Sequence, residues 1–233
     1  DDASEHEIKI QNVSNDNYLK IHDVKDYTNI ITSDSTLKSY FGFEREIDES
    51  TNFNTQIIVY EDLSKNDNDK YQYVFPDYNF SKKIDIDENY NGNFNFISSG
   101  FQKIYDTNKY EALINNDFNF NSFDFISSKG FLTDYSLLLK NYNTYSENSS
   151  IYENKNDHEI FGTFLIKSEL PLKKETINSN NFLKPIFQAR FSPTNGKDIS
   201  SNNSLILYDN IFSPNRIGRS DMVEKGASLT FGL

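Results

Sequence analysis

One pattern constrains this chain more than any other. Aromatic and aliphatic residues alternate with Asn, Ser, Thr and Asp at every second position, in run after run. Successive side chains of a strand point to opposite sides, so this period describes a β-strand with one apolar and one polar face. Leu37, Ser39, Phe41 and Phe43 share one parity, and Phe53, Thr55, Ile57 and Val59 repeat it. Asp48-Glu49-Ser50 between them is a short polar link that suits a hairpin. Phe94 and Phe96 alternate with Asn93 and Asn95. Ala112, Ile114, Phe118 and Phe120 oppose Asn115, Asp117, Asn119 and Asn121. Phe131, Thr133, Tyr135, Leu137 and Leu139 follow, then Phe164, Ile166 and Leu170, and then Leu183, Phe187, Ala189 and Phe191. No stretch of helical period exceeds about two turns.

The phase breaks are as informative as the runs. Tyr71, Tyr73 and Phe75 lie on one parity, and Tyr78 and Phe80, beyond Pro76, on the other. Proline removes a ladder donor and marks bulges and edges, so a strand bulge is predicted at Pro76. Phe123 and Phe125 also switch parity, which places a turn or bulge near Asn121-Ser122. Asn91-Gly92 and Asn195-Gly196 are turn dipeptides, and residues 65–70 form a polar loop. Asn141 to His158 and Thr194 to Asn203 read as long polar links. The count is about nine to eleven strands, several of about ten residues, against ~5–6 in typical sheets. Strands of about 9–11 residues suit a membrane-spanning barrel.

Composition narrows the classes. Apolar residues are 36% of the 233, yet there are 20 Phe, 15 Tyr and 31 Asn. Low hydrophobicity with high charge points to disorder, but disordered chains are poor in aromatics. A sheet with one wet face satisfies both facts. The net charge of -12 leaves no basic stripe to neutralise phosphates, which argues against nucleic acid as a partner. Zero Cys excludes a disulfide framework, a Cys-based zinc site and a cysteine nucleophile within these residues. No apolar run approaches the ~18 residues of a membrane helix. The first residues lack the cationic and apolar pattern of a leader peptide, which reads as a leader absent or removed.

Catalytic and metal chemistry finds little purchase. His6, His22 and His158 are scattered without metal spacing, and His158-Glu159 lacks the second His of a zincin helix. Asp85, Asp87 and Asn89 begin like a calcium loop, but Tyr90 and Phe96 stand where that loop needs Gly and Glu. There is no nucleophile elbow, phosphate-binding loop or dinucleotide fingerprint. The expectation is a protein that is not an enzyme and carries no cofactor and no metal.

The last quarter is the most distinctive. A strand around Pro185 leads through a polar loop into Asn210-Ile211-Phe212-Ser213-Pro214-Asn215-Arg216-Ile217-Gly218. Asp221, Glu224 and Gly226 follow, and then the strand Ser228-Leu229-Thr230-Phe231-Gly232-Leu233. Arg216 and Arg219 stand close in sequence to Asp221 and Glu224, which predicts a loop pinned by Arg–carboxylate contacts, with Gly218 and Gly226 supplying turns.

In these residues the chain resembles the barrel domain of the lipopolysaccharide-assembly outer-membrane family (LptD, or organic-solvent-tolerance proteins), in its α-proteobacterial style. The likeness is fairly specific over residues 183–233. It is looser over 70–140, where Phe75-Pro76-Asp77-Tyr78-Asn79-Phe80-Ser81 resembles an earlier strand of that domain. Residues 1–35 contribute little. The resemblance implies an all-β fold of antiparallel up-and-down strands forming part of a large outer-membrane β-barrel. It implies residence in the outer membrane of a Gram-negative bacterium and insertion of lipopolysaccharide into the outer leaflet. Implied partners are lipopolysaccharide, outer-membrane lipid, an LptE-type lipoprotein plug and an LptA-type periplasmic bridge that docks on a jellyroll domain. In the family pattern, Pro185, Asn210, Phe212, Asn215, Arg216, Gly218, Asp221, Glu224 and Gly226 build the structural loop.

About ten strands cannot complete a barrel of ~26, so the expectation is a piece of that domain. Residues 1–35 are poorly patterned, 36–193 form strand hairpins, 194–226 a long ordered loop, and 227–233 the start of the next strand. Two other readings stay open. One is a general outer-membrane porin or receptor barrel. The other is a secreted, soluble β-sandwich that binds glycans or mediates adhesion.

Overall fold

The computed structural model describes residues 4–22, 33–85, 91–176, 179–194 and 206–233. Asp87, Asn89 and the Asn195-Gly196 turn lie outside them, as do parts of the 1–35 and 194–226 segments; of Asp85 only the backbone is described.

The fold is all-β and antiparallel. In chain order the strands are β1 (Ser4–Lys9), β2 (Thr36–Asp48), β3 (Thr51–Asp62), β4 (Tyr71–Asp85), β5 (Gly92–Tyr105), β6 (Lys109–Ser122) and β7 (Phe125–Ile126). They continue as β8 (Leu132–Glu147), β9 (Asn156–Glu169), β10 (Leu172–Thr176), β11 (Ser179–Leu183), β12 (Ile186–Ser192) and β13 (Gly226–Gly232). One short helix, α1 (Tyr18–Ile21), follows β1. An 11-stranded sheet runs β1-β2-β3-β4-β5-β6-β8-β9-β12-β13, with β7 paired to β8 alone. Sequence neighbours are sheet neighbours, as expected of an up-and-down meander. β10 and β11 form a separate two-stranded hairpin.

Two differences from the sequence reading concern strand limits. Asn141–Glu147 belongs to β8 rather than to a link, and only residues 148–155 connect β8 to β9. The polar residues there are strand residues, because Tyr142, Thr144 and Ser146 are buried on one parity while Tyr145 and Glu147 are exposed on the other. Likewise, residues 172–183 pair with each other instead of joining the main sheet.

Turns are closed by the side chains that favour them. Asp48 Oδ1 accepts the Ser50 backbone N–H at 2.8 Å between β2 and β3. Asp62 Oδ1 accepts that of Ser64 at 2.9 Å beyond β3. Asp106 and Thr107 turn β5 into β6 with φ of 45° and 62°.

The chain divides into two compact units. The first comprises Asp1–Lys82, Ile97–Ile114 and Asn143–His158. Among its described residues one apolar cluster joins Leu19 of α1, Leu37 and Leu63, with Val13 against them. Its β3–β4 ladder explains the aromatic phase change. Gln56 pairs with Asp77 and Ile58 with Val74, so Ile57 alone faces Phe75 and Pro76. One extra residue in β4 restores the parity. Tyr71 and Tyr73 therefore share a face with Tyr78 and Phe80, opposite Glu61, Val59, Thr55 and Phe53 respectively. The Phe75–Pro76 peptide is cis. In the same unit Glu111 is buried and accepts from Tyr105 Oη at 2.6 Å, Ser149 Oγ at 2.6 Å and Lys103 Nζ at 2.8 Å.

The second unit comprises Lys83–Phe96, Asn115–Tyr142 and Glu159–Leu233. It holds the paired strands β9, β12 and β13 and the loop between the last two.

Candidate functional site

The registers of β9, β12 and β13 sort their side chains onto two faces. Phe187, Ala189 and Phe191 of β12 lie opposite Phe231, Leu229 and Ala227 of β13. On the other side Ala189 and Phe191 lie opposite Ile166 and Phe164 of β9. This face is apolar, and it is the exposed one: Phe231 is 73% exposed, Leu229 66% and Phe191 53%. The opposite face carries Gln188, Arg190, Ser192, Thr163 and Thr230, all buried. On β12 and β13 burial and polarity are therefore inverted relative to a sheet that packs a hydrophobic core, while β9 adds Phe161 and Leu165 to the buried face.

The cover of the polar face is residues 206–225, and its chemistry is mostly backbone. Arg190 Nε donates to the Pro214 carbonyl at 2.8 Å, and Nη2 donates to the Glu224 carbonyl at 2.9 Å and toward Thr163 Oγ1 at 3.4 Å. Gln188 Nε2 reaches the Ile211 carbonyl at 3.5 Å. A guanidinium suits this role because it is planar, always charged, and presents its donors in a fixed fork. Met222, Val223 and Ile217 are buried beneath the loop's own turns. The tip of the Phe212 ring lies against Gly232, where an added Cβ would come within 2.7 Å of Cζ.

The loop holds itself together by a second set of contacts. Arg216 forks onto Glu224, with Nε to Oε2 at 2.8 Å and Nη2 to Oε1 at 2.5 Å. Arg219 forks onto Asp221 at 2.8 and 2.6 Å. The bond to Asp221 raises the Arg219 pKa above its ordinary value, so the guanidinium stays charged. Asn215 Nδ2 donates to the Arg219 carbonyl at 2.7 Å, and Asn210 Oδ1 accepts the Leu207 N–H at 2.7 Å. Gly218 has φ of +65° and Gly226 +101°, which side-chain-bearing residues rarely adopt.

Of the residues singled out in the sequence, Asn210, Phe212, Asn215, Arg216, Gly218, Asp221 and Glu224 lie in this loop, and Gly226 opens β13. Asp221 is bound by Arg219, not by Arg216. Pro185 lies apart: its carbonyl accepts the Leu170 N–H at 3.1 Å and closes the base of the β10–β11 hairpin. Pro76 belongs to the other unit. Sequence reasoning missed Arg190 and Gln188, the two side chains that tie the sheet to the loop. Their signal was available, since both occupy the parity of β12 opposite its phenylalanines.

No family model matches the chain, and neither does any curated protein.

The arrangement binds chain to chain. Its cations are spent on carbonyls and carboxylates. Among the described residues, no group of three or more His, Asp or Glu side chains could hold a metal ion.

Proposed function

We propose that this chain is wall from an outer-membrane β-barrel, and that the barrel is the translocon that inserts lipopolysaccharide into the outer leaflet. The inversion on β12 and β13 carries the first part of this reading. A soluble protein gains about 25 cal/mol for each Å² of apolar surface it removes from water. On β12 and β13 this unit instead leaves Phe187, Phe191, Leu229 and Phe231 outside and covers Arg190 and Gln188. That choice is favourable where the outside is hydrocarbon, and antiparallel strands satisfy their backbone groups there. Strand lengths agree with such a setting: β8 has 16 residues, and β5, β6 and β9 have 14 each.

The second part rests on the resemblance carried by Pro185 and the loop from Asn210 to Gly226. In that role the apolar face contacts acyl chains. The polar face borders the path of the sugars, and the pinned loop sets which part of that face is accessible. The work is transport, with no covalent step. An LptE-type lipoprotein and an LptA-type bridge are the protein partners of this reading.

The test has two stages. The chain should require detergent or lipid to stay dispersed after purification. A monomer that folds cooperatively in plain buffer would refute the membrane assignment and favour the soluble sandwich. Depletion of the parent protein should then trap lipopolysaccharide in the periplasm. Normal surface lipopolysaccharide would leave a porin or receptor barrel in its place.

A further inference from the structure

We propose that two hairpins at one end of β8, β9 and β12 form a collar that docks on lipid headgroups whose phosphates carry a net negative charge. The inference rests on the membrane reading above and specifies what the sheet meets at the edge of its apolar band. The first hairpin is β7 with the start of β8, turned at residues 127–131. The second is β10–β11. Thr133 Oγ1 and Ser168 Oγ are 3.0 Å apart, which sets the start of β8 beside the end of β9. The Leu170 side chain lies 3.8 Å from where Gly130 would carry a Cβ, so the two hairpins are neighbours.

The composition of the collar departs from the rest of the molecule. The chain carries a net charge of -12, yet residues 124–131 and 172–184 hold Lys129, Lys173, Lys174 and Lys184 against Asp124 and Glu175. Every residue of β10 and β11 is exposed, including Phe182 at 72%. Ile126, Leu172 and Leu183 are exposed as well. Lys173 sits 5.7 Å over the Phe182 ring and pairs with Glu175, and Lys184 pairs with Glu169 at 3.1 Å. Lys129 and Lys174 have no hydrogen-bond or ion-pair partner among the described residues. A lone two-stranded hairpin is marginal in water. One that lies beside a lipid-facing sheet and combines exposed apolar residues with unpaired lysines suits the boundary between acyl chains and phosphates.

The chain contains no Trp, so Phe182→Trp and Leu229→Trp each install a single reporter in the full chain. Each variant is inserted into phosphatidylcholine vesicles, with or without phosphatidylglycerol and with brominated acyl chains. Leu229→Trp should be quenched by bromines near mid-chain in both lipids. Phe182→Trp should shift to the blue and be quenched by shallow bromines, with its docked population favoured in the anionic vesicles. Lys129→Gln with Lys174→Gln should lower that preference roughly twenty-five-fold, from about fivefold per lysine. Water-like emission from Phe182→Trp alongside a quenched Leu229→Trp overturns the collar and leaves the membrane wall standing. Equal docking in both lipids overturns headgroup recognition. Water-like emission from both reporters overturns the wall, and the collar with it.

Discussion

Arg190 is the residue whose loss should separate the loop from the sheet. It is 2% exposed and holds the Pro214 and Glu224 carbonyls at 2.8 and 2.9 Å. Arg190→Met keeps an unbranched apolar stem and removes both donors. Each bond to a charged donor is worth about 1.5–3 kcal/mol, and a buried carbonyl left alone costs about 1–3 kcal/mol. Opening the loop lets water reach both carbonyls, so the low end applies, and the loop should lose about 3 kcal/mol. At 1.4 kcal/mol per decade the open fraction rises on the order of a hundredfold. β12 itself should persist, because it remains paired with β9 and β13 along its length. Trypsin reads the outcome directly, since Arg216, Arg219 and Lys225 are cleavage sites within the loop. Cleavage there follows the open population when reclosing is fast. The rate at those three sites should rise about a hundredfold in detergent micelles, with the strands still protected. Arg190→Lys, which keeps the charge but not the fork, should fall between. Unchanged cleavage in Arg190→Met would refute the idea that this side chain holds the loop.

Three further outcomes are expected. Arg216→Ala removes the fork onto Glu224, whose side chain is partly solvated; it should cost the loop about 1–2 kcal/mol and leave the strands formed. Unaltered protease sensitivity would count against it, and Glu224→Ala added to Arg216→Ala should give little further loss. Asp106 lies below the usual aspartate range, because Lys65 and Lys109 hydrogen-bond its carboxylate. A depressed folded-state pKa stabilises above the unfolded value and is lost as pH falls through the folded one. Hydrogen exchange at the residue 63–70 and 106–108 turns should therefore quicken in acid, and Asp106→Asn should flatten that response. At Gly100, an added Cβ would sit 2.4 Å from the Leu113 carbonyl and 2.8 Å from the Tyr78 ring. Gly100→Ala should lower the denaturation midpoint by the equivalent of about 1–3 kcal/mol; a neutral result would mean that β5 and β6 can part there without cost.

Strand positions were legible in the sequence because a half-polar sheet writes its two faces as alternation. The runs around Phe41, Phe53, Phe118 and Phe187 all fall inside strands. The limits of β8 were not legible. Asn141, Asn143 and Thr144 are common in links, and only their contacts make them strand residues. The β10–β11 hairpin escaped for a related reason: its five cross-strand pairs join Leu, Phe, Lys, Asn, Glu, Thr and Ser without a consistent apolar face. Local charge order placed the loop carboxylates near both arginines but could not assign the pairs. Arg219 takes Asp221, two residues away, and Arg216 reaches Glu224 only after Gly218 reverses the chain. The parity of Arg190 was legible, but its partners were not, because they are carbonyl oxygens, which every residue supplies.

The bulge in β4 has a consequence for inheritance. Upstream of it the aromatics occupy odd numbers, downstream even ones, and one surplus residue reconciles them. Loss of a single codon at Phe75 or Pro76 would remove the bulge and leave a regular ladder, with Tyr78 and Phe80 still opposite Thr55 and Phe53. The bulge can therefore come and go between lineages without any rewriting of the aromatics that flank it.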